Sequence, residues 1–150
     1  MKIVRIFNTY GPRMAINDGR VVSNFCVAAL TGEPLELYGD GSATRSYAYV
    51  DDIIDAIVRM MNTPTGFTGP VNIGNPDEFT VEDLAKLTIE LTGSSSKIVR
   101  KPTRPDDPTR RRPDITLAKK HLSWEPKVAL RDGLTRSLEY FRNELKMTRT

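Results

Sequence analysis

Arg5-Ile6-Phe7-Asn8-Thr9-Tyr10-Gly11-Pro12-Arg13 is the stretch that decides the fold, because an apolar strand runs directly into a loop rich in hydrogen-bond donors. Residues 3–7 have the pattern of a strand in a buried parallel sheet. Ligands of α/β proteins sit at the ends of such strands. We therefore expect a ligand site beside Asn8. Because almost nothing precedes this strand, we also expect the chain to begin in mid-domain.

The composition is typical of a globular protein with one core. The chain has 150 residues, of which 39% are hydrophobic and 27% are charged. It contains no long apolar run and no signal-peptide pattern, so we expect no membrane association and a cytoplasmic location. Cys26 is the single cysteine and lies in an apolar run. It is expected to be a small buried side chain rather than a nucleophile.

The charge distribution favours an anionic ligand. The formal net charge is +3, and one short span is crowded with basic side chains, namely Arg100, Lys101, Arg104, Arg110, Arg111 and Arg112. Nucleic acid is one possible anion, but the aromatic residues are not interleaved with these charges, and no zinc-finger or helix-turn-helix pattern accompanies them. The sequence therefore predicts a phosphate-bearing small molecule as the ligand, and no nucleic acid.

Strand-like and helix-like segments alternate along the chain, which predicts an α/β fold. Gly32 is expected to end the first helix, Thr80 and Asp83 to form a capping box, and Asp114 to cap a short helix. The polar segment 98–113 is expected to be a loop. In chain order, the predicted strands are 3–7, 35–38, 45–50 and 70–74, and the predicted helices are 21–30, 53–61, 84–91, 115–122 and 130–145.

Two further expectations concern the second helix and Trp124, which lies after the fourth helix. Asp51 is predicted to be the N-cap of the second helix, and capping explains the Asp51-Asp52 pair without acid-base chemistry. Trp124 is expected to fill a gap in the packing. The apolar face of the second helix is predicted to consist of Ile53, Ile54, Ile57, Val58 and Met61.

Arginines supply the strongest candidates for phosphate binding, because a planar guanidinium can form paired hydrogen bonds with phosphate oxygens. For any one arginine taken alone, a solvated surface position is the commoner explanation. Arg45 is the best candidate, since it follows a glycine-rich turn and precedes an alternating strand. The arginines at strand ends, in loops or near helix starts are Arg5, Arg13, Arg20, Arg45 and Arg111.

Three other residues, one aromatic and two polar, each allow two interpretations. Tyr38 can stack on a nucleobase or belong to the core. Asn8 and Asn72 can bond sugar hydroxyls or phosphates, or can form turns. His121 has no acidic neighbour and is expected at the surface. Asp106-Asp107 lacks further ligands at metal spacing, so no metal is predicted.

Three motifs together resemble one family. They are the opening stretch 5–13, then Asn17-Asp18-Gly19-Arg20-Val21-Val22-Ser23-Asn24-Phe25, and then Tyr38-Gly39-Asp40-Gly41-Ser42-Ala43-Thr44-Arg45-Ser46. The chain resembles the extended short-chain dehydrogenases/reductases (the NAD-dependent epimerase/dehydratase family) that act on nucleotide sugars. Residues 17–20 and 106–114 are most similar to the UDP-glucuronate decarboxylases, with dTDP-glucose dehydratases and UDP-sugar epimerases as neighbours.

The resemblance implies a fold class and a reaction. It implies that residues 1–150 are a single C-terminal substrate-binding portion of an extended short-chain dehydrogenase/reductase. Residues 1–13 would be the remaining Rossmann strand and loop, without the N-terminal dinucleotide-binding half. In the family, NAD oxidises the sugar at C4, the keto acid loses carbon dioxide, and hydride returns from NADH to give UDP-xylose from UDP-glucuronate.

The resemblance also implies roles for individual residues. Arg111 would lie beside the sugar carboxylate as the catalytic group, helping to protonate the product. Thr9 and Arg20 would lie on the cofactor side. The substrate-binding residues would be Asn8 at the sugar or diphosphate, Arg20 and Arg45 at the diphosphate, Tyr38 near the uracil, Asn72, and Arg111.

The chain departs from the family pattern in two ways. Decarboxylases of the family often carry His at the position of Ala15. The sequence also contains no Gly-x-Gly-x-x-Gly turn and no catalytic Tyr-x-x-x-Lys. We therefore expect a truncated chain that is inactive alone. The alternatives are a stand-alone nucleotide-sugar binding module, or half of a split epimerase or 4,6-dehydratase that pairs with a separate Rossmann-domain chain. Unpaired strand edges and bare apolar faces predict self-association or a homo-oligomer.

Overall fold

Short strands and longer helices alternate in the computed structural model, which describes residues 1–103 and 110–147. The helices are α1 (Val21–Thr31), α2 (Val50–Met61), α3 (Val81–Thr92), α4 (Thr116–Leu122) and α5 (Leu130–Met147). The strands are β1 (Val4–Ile6), β2 (Thr9–Tyr10), β3 (Leu35–Tyr38), β4 (Thr44–Ser46), β5 (Ala48–Tyr49), β6 (Val71–Ile73), β7 (Glu78–Thr80), β8 (Ile98–Lys101) and β9 (Arg110–Arg111). The predicted α/β class is confirmed.

Most strand pairs are parallel. The pairs β1–β6, β2–β5 and β3–β8 are each parallel, and β4 lies between antiparallel β7 and parallel β9. The prediction that β1 is buried was wrong, since Ile3 is 40% and Ile6 is 52% exposed. Within the described residues β1 pairs along one edge, with β6, and about half of each of these two side chains is left exposed. The expected self-association stays a prediction.

Two hydrophobic clusters hold these elements together. The first joins α1, α3 and α5 with β2 and β5 through large buried side chains such as Phe25 and Phe141. The second packs α2 and α4 against β6 and includes Trp124, which is 2% exposed. The indole nitrogen of Trp124 donates to the backbone oxygen of Asp52 at 2.9 Å. Trp124 therefore fills the gap that the sequence predicted.

The start of α2 differs from the prediction. The helix begins at Val50 with Tyr49 as its N-cap, so Asp51 is not the cap and lies exposed in the first turn. Asp52 instead is buried, and its carboxylate accepts the backbone N–H groups of Lys127 and Val128, both at 3.0 Å. Those bonds attach α2 to the segment that precedes α5. They satisfy a buried carboxylate that the sequence alone presents as one of two equivalent helix-start residues.

The apolar face of α2 is also narrower than predicted. Ile53 is buried as expected, but Ile54, Val58 and Met61 are 53%, 49% and 69% exposed. Ala56 and Met60 lie in the core instead. The packing of β6 and α4 against α2 determines which face of the helix is buried. Apolar side chains at helical spacing therefore line the solvent side of this helix as well as its buried side.

Two other local signals are confirmed. Gly32 ends α1 in the left-handed region with φ of 79°, and Thr80 and Asp83 form the capping box of α3. The cap predicted for α4 was wrong, because Ile115 rather than Asp114 is its N-cap, although Asp114 accepts the backbone N–H of Thr116 at 2.9 Å just before the helix. The loop predicted at 98–113 was partly wrong, because its ends form β8 and β9. Its middle, with Arg104 and the Asp106-Asp107 pair, lies outside the described residues.

Cys26 lies fully buried in α1, as predicted, and burial raises the pKa of its thiol to about 12. Only the thiolate reacts with alkylating reagents. We therefore expect iodoacetamide at pH 8 to modify the folded chain at least about a hundredfold more slowly than the urea-unfolded chain. The thiol pKa is higher in the folded chain than in the unfolded chain. Above pH 9 the unfolded chain therefore binds fewer protons than the folded chain, so the free energy of unfolding falls as pH rises. Modification at equal rates in both states would contradict the burial of Cys26.

Candidate functional site

A cavity of about 760 Å³ lies where β1 ends. It brings together five of the residues predicted from the sequence, although they belong to segments far apart in the chain. Among the described residues that line it, none is Asp or Glu, and three are arginines. Its lining residues include Phe7, Asn8, Thr9, Met14, Arg20, Val21, Val22, Arg45, Tyr47 and Arg111. We call this space the diphosphate cavity, after the group that the family resemblance predicts for Arg20 and Arg45.

The strand end that opens the sequence forms one wall of the diphosphate cavity. Backbone bonds fix it there: the Phe7 N–H donates to the Ile73 oxygen at 2.9 Å, and the Ala48 N–H donates to the Asn8 oxygen at 2.9 Å. The Thr9 hydroxyl donates to the Phe7 oxygen, also at 2.9 Å. Neighbouring strands thus hold the backbone on both sides of Asn8, which keeps that side chain at the wall.

The first turn of α1 forms a second wall. Arg20 is the N-cap residue in an extended conformation, and Val21 and Val22 follow it along the cavity. Within the described part of the chain, no side chain caps α1, and its first turn contains no acidic residue. The N–H groups and positive dipole end of a helix attract anions. The Arg20 side chain is mostly exposed and forms an ion pair with Asp18 at 3.3 Å.

Arg45 and Arg111 form the third wall. They are direct partners in the parallel ladder of β4 and β9, so both side chains leave the sheet on the same face. Arg45 is 9% exposed, and its Nη1 donates to the Thr44 oxygen at 2.8 Å, whereas Arg111 is exposed. Like charges at directly paired positions repel each other. An anion bound between the two guanidinium groups would offset this repulsion.

Tyr38 borders a smaller cavity of about 180 Å³, which shares Val21 and Arg45 with the diphosphate cavity. We call it the base cavity. The ring of Tyr38 is partly exposed, and its hydroxyl donates to Glu36 at 3.3 Å. Glu36 also forms an ion pair with Lys101 at 3.2 Å. A flat ring held at the edge of a slot can stack on a planar ligand.

Not every predicted site residue lines these two cavities. Asn72 lies in β6, and its side-chain amide donates to the Asp114 oxygen at 3.1 Å, so it braces β6 against the start of α4. Arg5 and Arg13 line neither cavity. Sequence reasoning missed the first turn of α1 as a wall. The available signal was Arg20 at a helix start with no acidic residue after it.

No three His, Cys, Asp or Glu side chains in the described ranges converge as ligands of a metal ion would. No helix among the described residues has the length and apolar character to cross a membrane.

Parallel strands end at this arginine-lined cavity, and α1 begins beside it. Comparison with known proteins shows that the chain is part of an extended short-chain dehydrogenase/reductase. The family model described as GDP-mannose 4,6 dehydratase matches residues 1–137, and the chain belongs to that family. The resemblance inferred from the three sequence motifs is therefore confirmed at the level of the family.

Two of the similar proteins are UDP-glucuronic acid decarboxylases. The chain is 52% identical to UDP-glucuronic acid decarboxylase 4 of Arabidopsis thaliana over 145 residues, which is 97% of this chain and 32% of that protein. It is 49% identical to UDP-glucuronic acid decarboxylase 1 of Danio rerio, covering 97% of this chain and 34% of that protein. The chain thus spans about a third of the length of these relatives.

Solved structures agree with this assignment. The UDP-glucose 4-epimerase of Thermotoga maritima, solved with UDP-glucose, superposes with a TM-score of 0.90 at 39% identity, over 96% of this chain and 46% of that chain. The UDP-glucuronic acid 4-epimerase of Bacillus cereus, solved with UDP-glucuronic acid and NAD, superposes with a TM-score of 0.88 at 28% identity, over 95% and 45%.

Proposed function

We propose that this chain is the nucleotide-sugar binding portion of an NAD-dependent enzyme similar to UDP-glucuronate decarboxylase, which converts UDP-glucuronate to UDP-xylose. The observation that carries the proposal is the diphosphate cavity, where Arg20, Arg45 and Arg111 meet an uncapped first turn of α1 within the described residues. A diphosphate carries the charge and the acceptor oxygens that this set of donors requires.

In the proposed binding mode, the ligand extends from the base cavity to the strand end. The base stacks on Tyr38, and the diphosphate lies at the first turn of α1 between Arg20 and Arg45. The sugar reaches Asn8, and its carboxylate meets Arg111. Asn72 has no part in this mode, because it lines neither cavity.

The comparisons support UDP-glucuronate as the ligand. The decarboxylases are 49–52% identical to the chain over nearly all of its length, and the Bacillus cereus structure contains UDP-glucuronic acid. A second candidate, a portion of a UDP-sugar 4-epimerase, is favoured by the Thermotoga maritima structure with its higher TM-score. If the chain were a portion of a UDP-glucose epimerase, it would bind UDP-glucose at least as tightly as UDP-glucuronate. The substrate of such an enzyme has no sugar carboxylate for Arg111 to bind.

The residues present do not fit NAD by themselves. The 150 residues contain no Gly-x-Gly-x-x-Gly turn for a pyrophosphate, and the Thr9 hydroxyl is already bonded to the Phe7 oxygen. We propose Thr9 and Arg20 as contacts at the margin of a cofactor site. The chain also contains no Tyr-x-x-x-Lys. We accordingly propose that it binds the sugar nucleotide but releases no carbon dioxide from it alone.

The role of Arg111 is tested with the purified chain. We expect calorimetric titration to show UDP-glucuronate binding with micromolar affinity, several-fold tighter than UDP-glucose. Arg111→Ala should weaken UDP-glucuronate binding by about tenfold, because a charge-assisted bond to the carboxylate is lost. UDP-glucose binding should change less.

Arg131→Ala is the matched control, since Arg131 is exposed on α5 and pairs with Glu90 at 2.9 Å. It should bind both nucleotides as the unaltered chain does. Failure of the unaltered chain to bind any UDP compound would refute the proposed function. Equal losses of both ligands in Arg111→Ala would refute the carboxylate role and favour the epimerase candidate.

A further inference from the structure

We propose that Ser46 is a positioning residue for Arg111: its hydroxyl fixes the backbone from which the Arg111 side chain enters the diphosphate cavity, and so sets the preference for an acidic sugar. The inference rests on the proposed function and adds a determinant of specificity to it. Ser46 itself does not line the diphosphate cavity or the base cavity.

The contact between the two residues is direct. Ser46 is 1% exposed, and its Oγ donates to the backbone oxygen of Arg111 at 3.2 Å. The last register pair of β4 and β9 is Arg45 with Arg111, so Ser46 lies one residue beyond the end of the ladder. Its hydroxyl continues the strand pairing at the point where the ladder stops.

The Ser46 bond matters for the position of Arg111 because β9 is short. It contains two residues, Arg110 and Arg111, and Pro113 follows two positions later. Proline has no N–H, so the ladder cannot be extended through that residue. On the far side of Arg111, the Arg112 side chain donates to the Pro76 oxygen at 3.0 Å and is exposed. Of these two attachments, the Ser46 bond is the less exposed.

Ser46 is itself held firmly. It lies in β4, the central strand of the three-stranded sheet, where it pairs with Glu78 of β7 on the other side. Two residues before Ser46, Thr44 donates its hydroxyl to the Glu78 carboxylate at 2.9 Å, which joins the same two strands again. A donor on a strand that is paired on both edges is a rigid reference for a two-residue neighbour. Small displacements of a binding group cost affinity steeply, so such a reference matters for Arg111.

The test uses Ser46→Ala in the full chain, with UDP-glucuronate and UDP-glucose as calorimetric ligands. We expect UDP-glucuronate binding to weaken about fivefold and UDP-glucose binding to change less than about twofold, since one hydrogen bond that orients Arg111 is lost. The ratio of the two affinities is the readout. A general loss of stability would weaken both ligands together and leave that ratio unchanged.

The matched control is Ser137→Ala. Ser137 is also fully buried and donates its hydroxyl to a backbone oxygen, that of Gly133 at 2.7 Å, but it lies in α5. It should leave the affinity ratio unchanged. Amide hydrogen exchange of the unliganded chain supplies a second readout, and Ser46→Ala should accelerate exchange in β9 while β3 and β8 exchange as before.

The outcomes separate the two proposals. If the unaltered chain binds no UDP compound, the proposed function fails, and the specificity role of Ser46 fails with it. If the unaltered chain prefers UDP-glucuronate and Ser46→Ala keeps that preference, the Ser46 inference alone is overturned. Unchanged exchange in β9 would overturn it equally. A reduced preference together with faster exchange in β9 supports it.

Discussion

Gly133→Ala is expected to lower the free energy of unfolding by about 3 kcal/mol, near the upper end of the cost of overpacking a core. Gly133 lies in α5, where alanine is ordinarily favoured over glycine by roughly 1 kcal/mol. The expected loss therefore opposes the helix propensity. Such a reversal of sign identifies packing, rather than the backbone, as the cause.

The reason is the close approach of two aromatic rings to α5. A Cβ at Gly133 would meet Tyr10, first at its hydroxyl and then at Cζ at 2.9 Å, and would lie 2.8 Å from Cδ2 of Tyr49. Both tyrosines are almost fully buried, and their rings meet edge to face with centroids 5.7 Å apart. The Tyr10 hydroxyl also donates to the Leu130 oxygen at 3.3 Å. Neither ring can move aside without disturbing the first hydrophobic cluster.

Urea unfolding followed by circular dichroism measures the effect, and the chain offers its own control. Nothing lies within 4 Å of a Cβ placed on Gly66, so Gly66→Ala should change stability by less than about 0.5 kcal/mol. Tyr10→Phe removes the atom nearest to the new methyl group, so the double variant should lose less than the sum of the single losses. A Gly133→Ala chain as stable as the parent would mean that α5 does not pack against these rings.

Two helix ends were predicted correctly because their signals are local. Gly32 and the Thr80–Asp83 box act within one turn of the helices that they terminate, so a short window contains all the information. Asp52 is different. Its carboxylate is satisfied by the backbone of Lys127 and Val128, and no pattern around position 52 indicates this partner. The exposure of Ile54 is equally non-local, since it depends on where β6 and α4 pack against α2.

At the candidate site as well, individual residues can be selected from the sequence but their arrangement cannot. The five cavity residues Asn8, Thr9, Arg20, Arg45 and Arg111 could be selected from the sequence because each is a polar group at a strand end or helix start. Their arrangement could not. The pairing of Arg45 with Arg111 requires β9, which falls in a segment rich in proline and arginine with the composition of a loop. Asn72 shows the reverse case: a suitable amide can be selected from the sequence, but its bond to the Asp114 oxygen and its position outside both cavities cannot.

Arg45→Met is expected to weaken UDP binding by at least about thirtyfold, the largest functional effect of any single substitution proposed for this chain. Arg45 is one of two residues that the diphosphate and base cavities share, the other being Val21. In the proposed binding mode its guanidinium therefore meets the phosphates where they leave the nucleoside. A charge-assisted pair of bonds there is worth more than a contact at either end of the ligand. Methionine preserves most of the length and apolar volume of the buried stem.

Calorimetric titration with UDP, which lacks the sugar, isolates this effect from that of Arg111. Arg45→Lys retains the positive charge without the planar pair of donors and should fall between the parent and Arg45→Met. Arg131→Met controls for the loss of one positive charge and should bind UDP normally, because Arg131 lies in α5 and pairs with Glu90. Thermal unfolding of each variant establishes that the chain is folded. UDP binding by a folded Arg45→Met chain within twofold of the parent would place the diphosphate elsewhere, and the shared wall of the two cavities would then have no role in binding it.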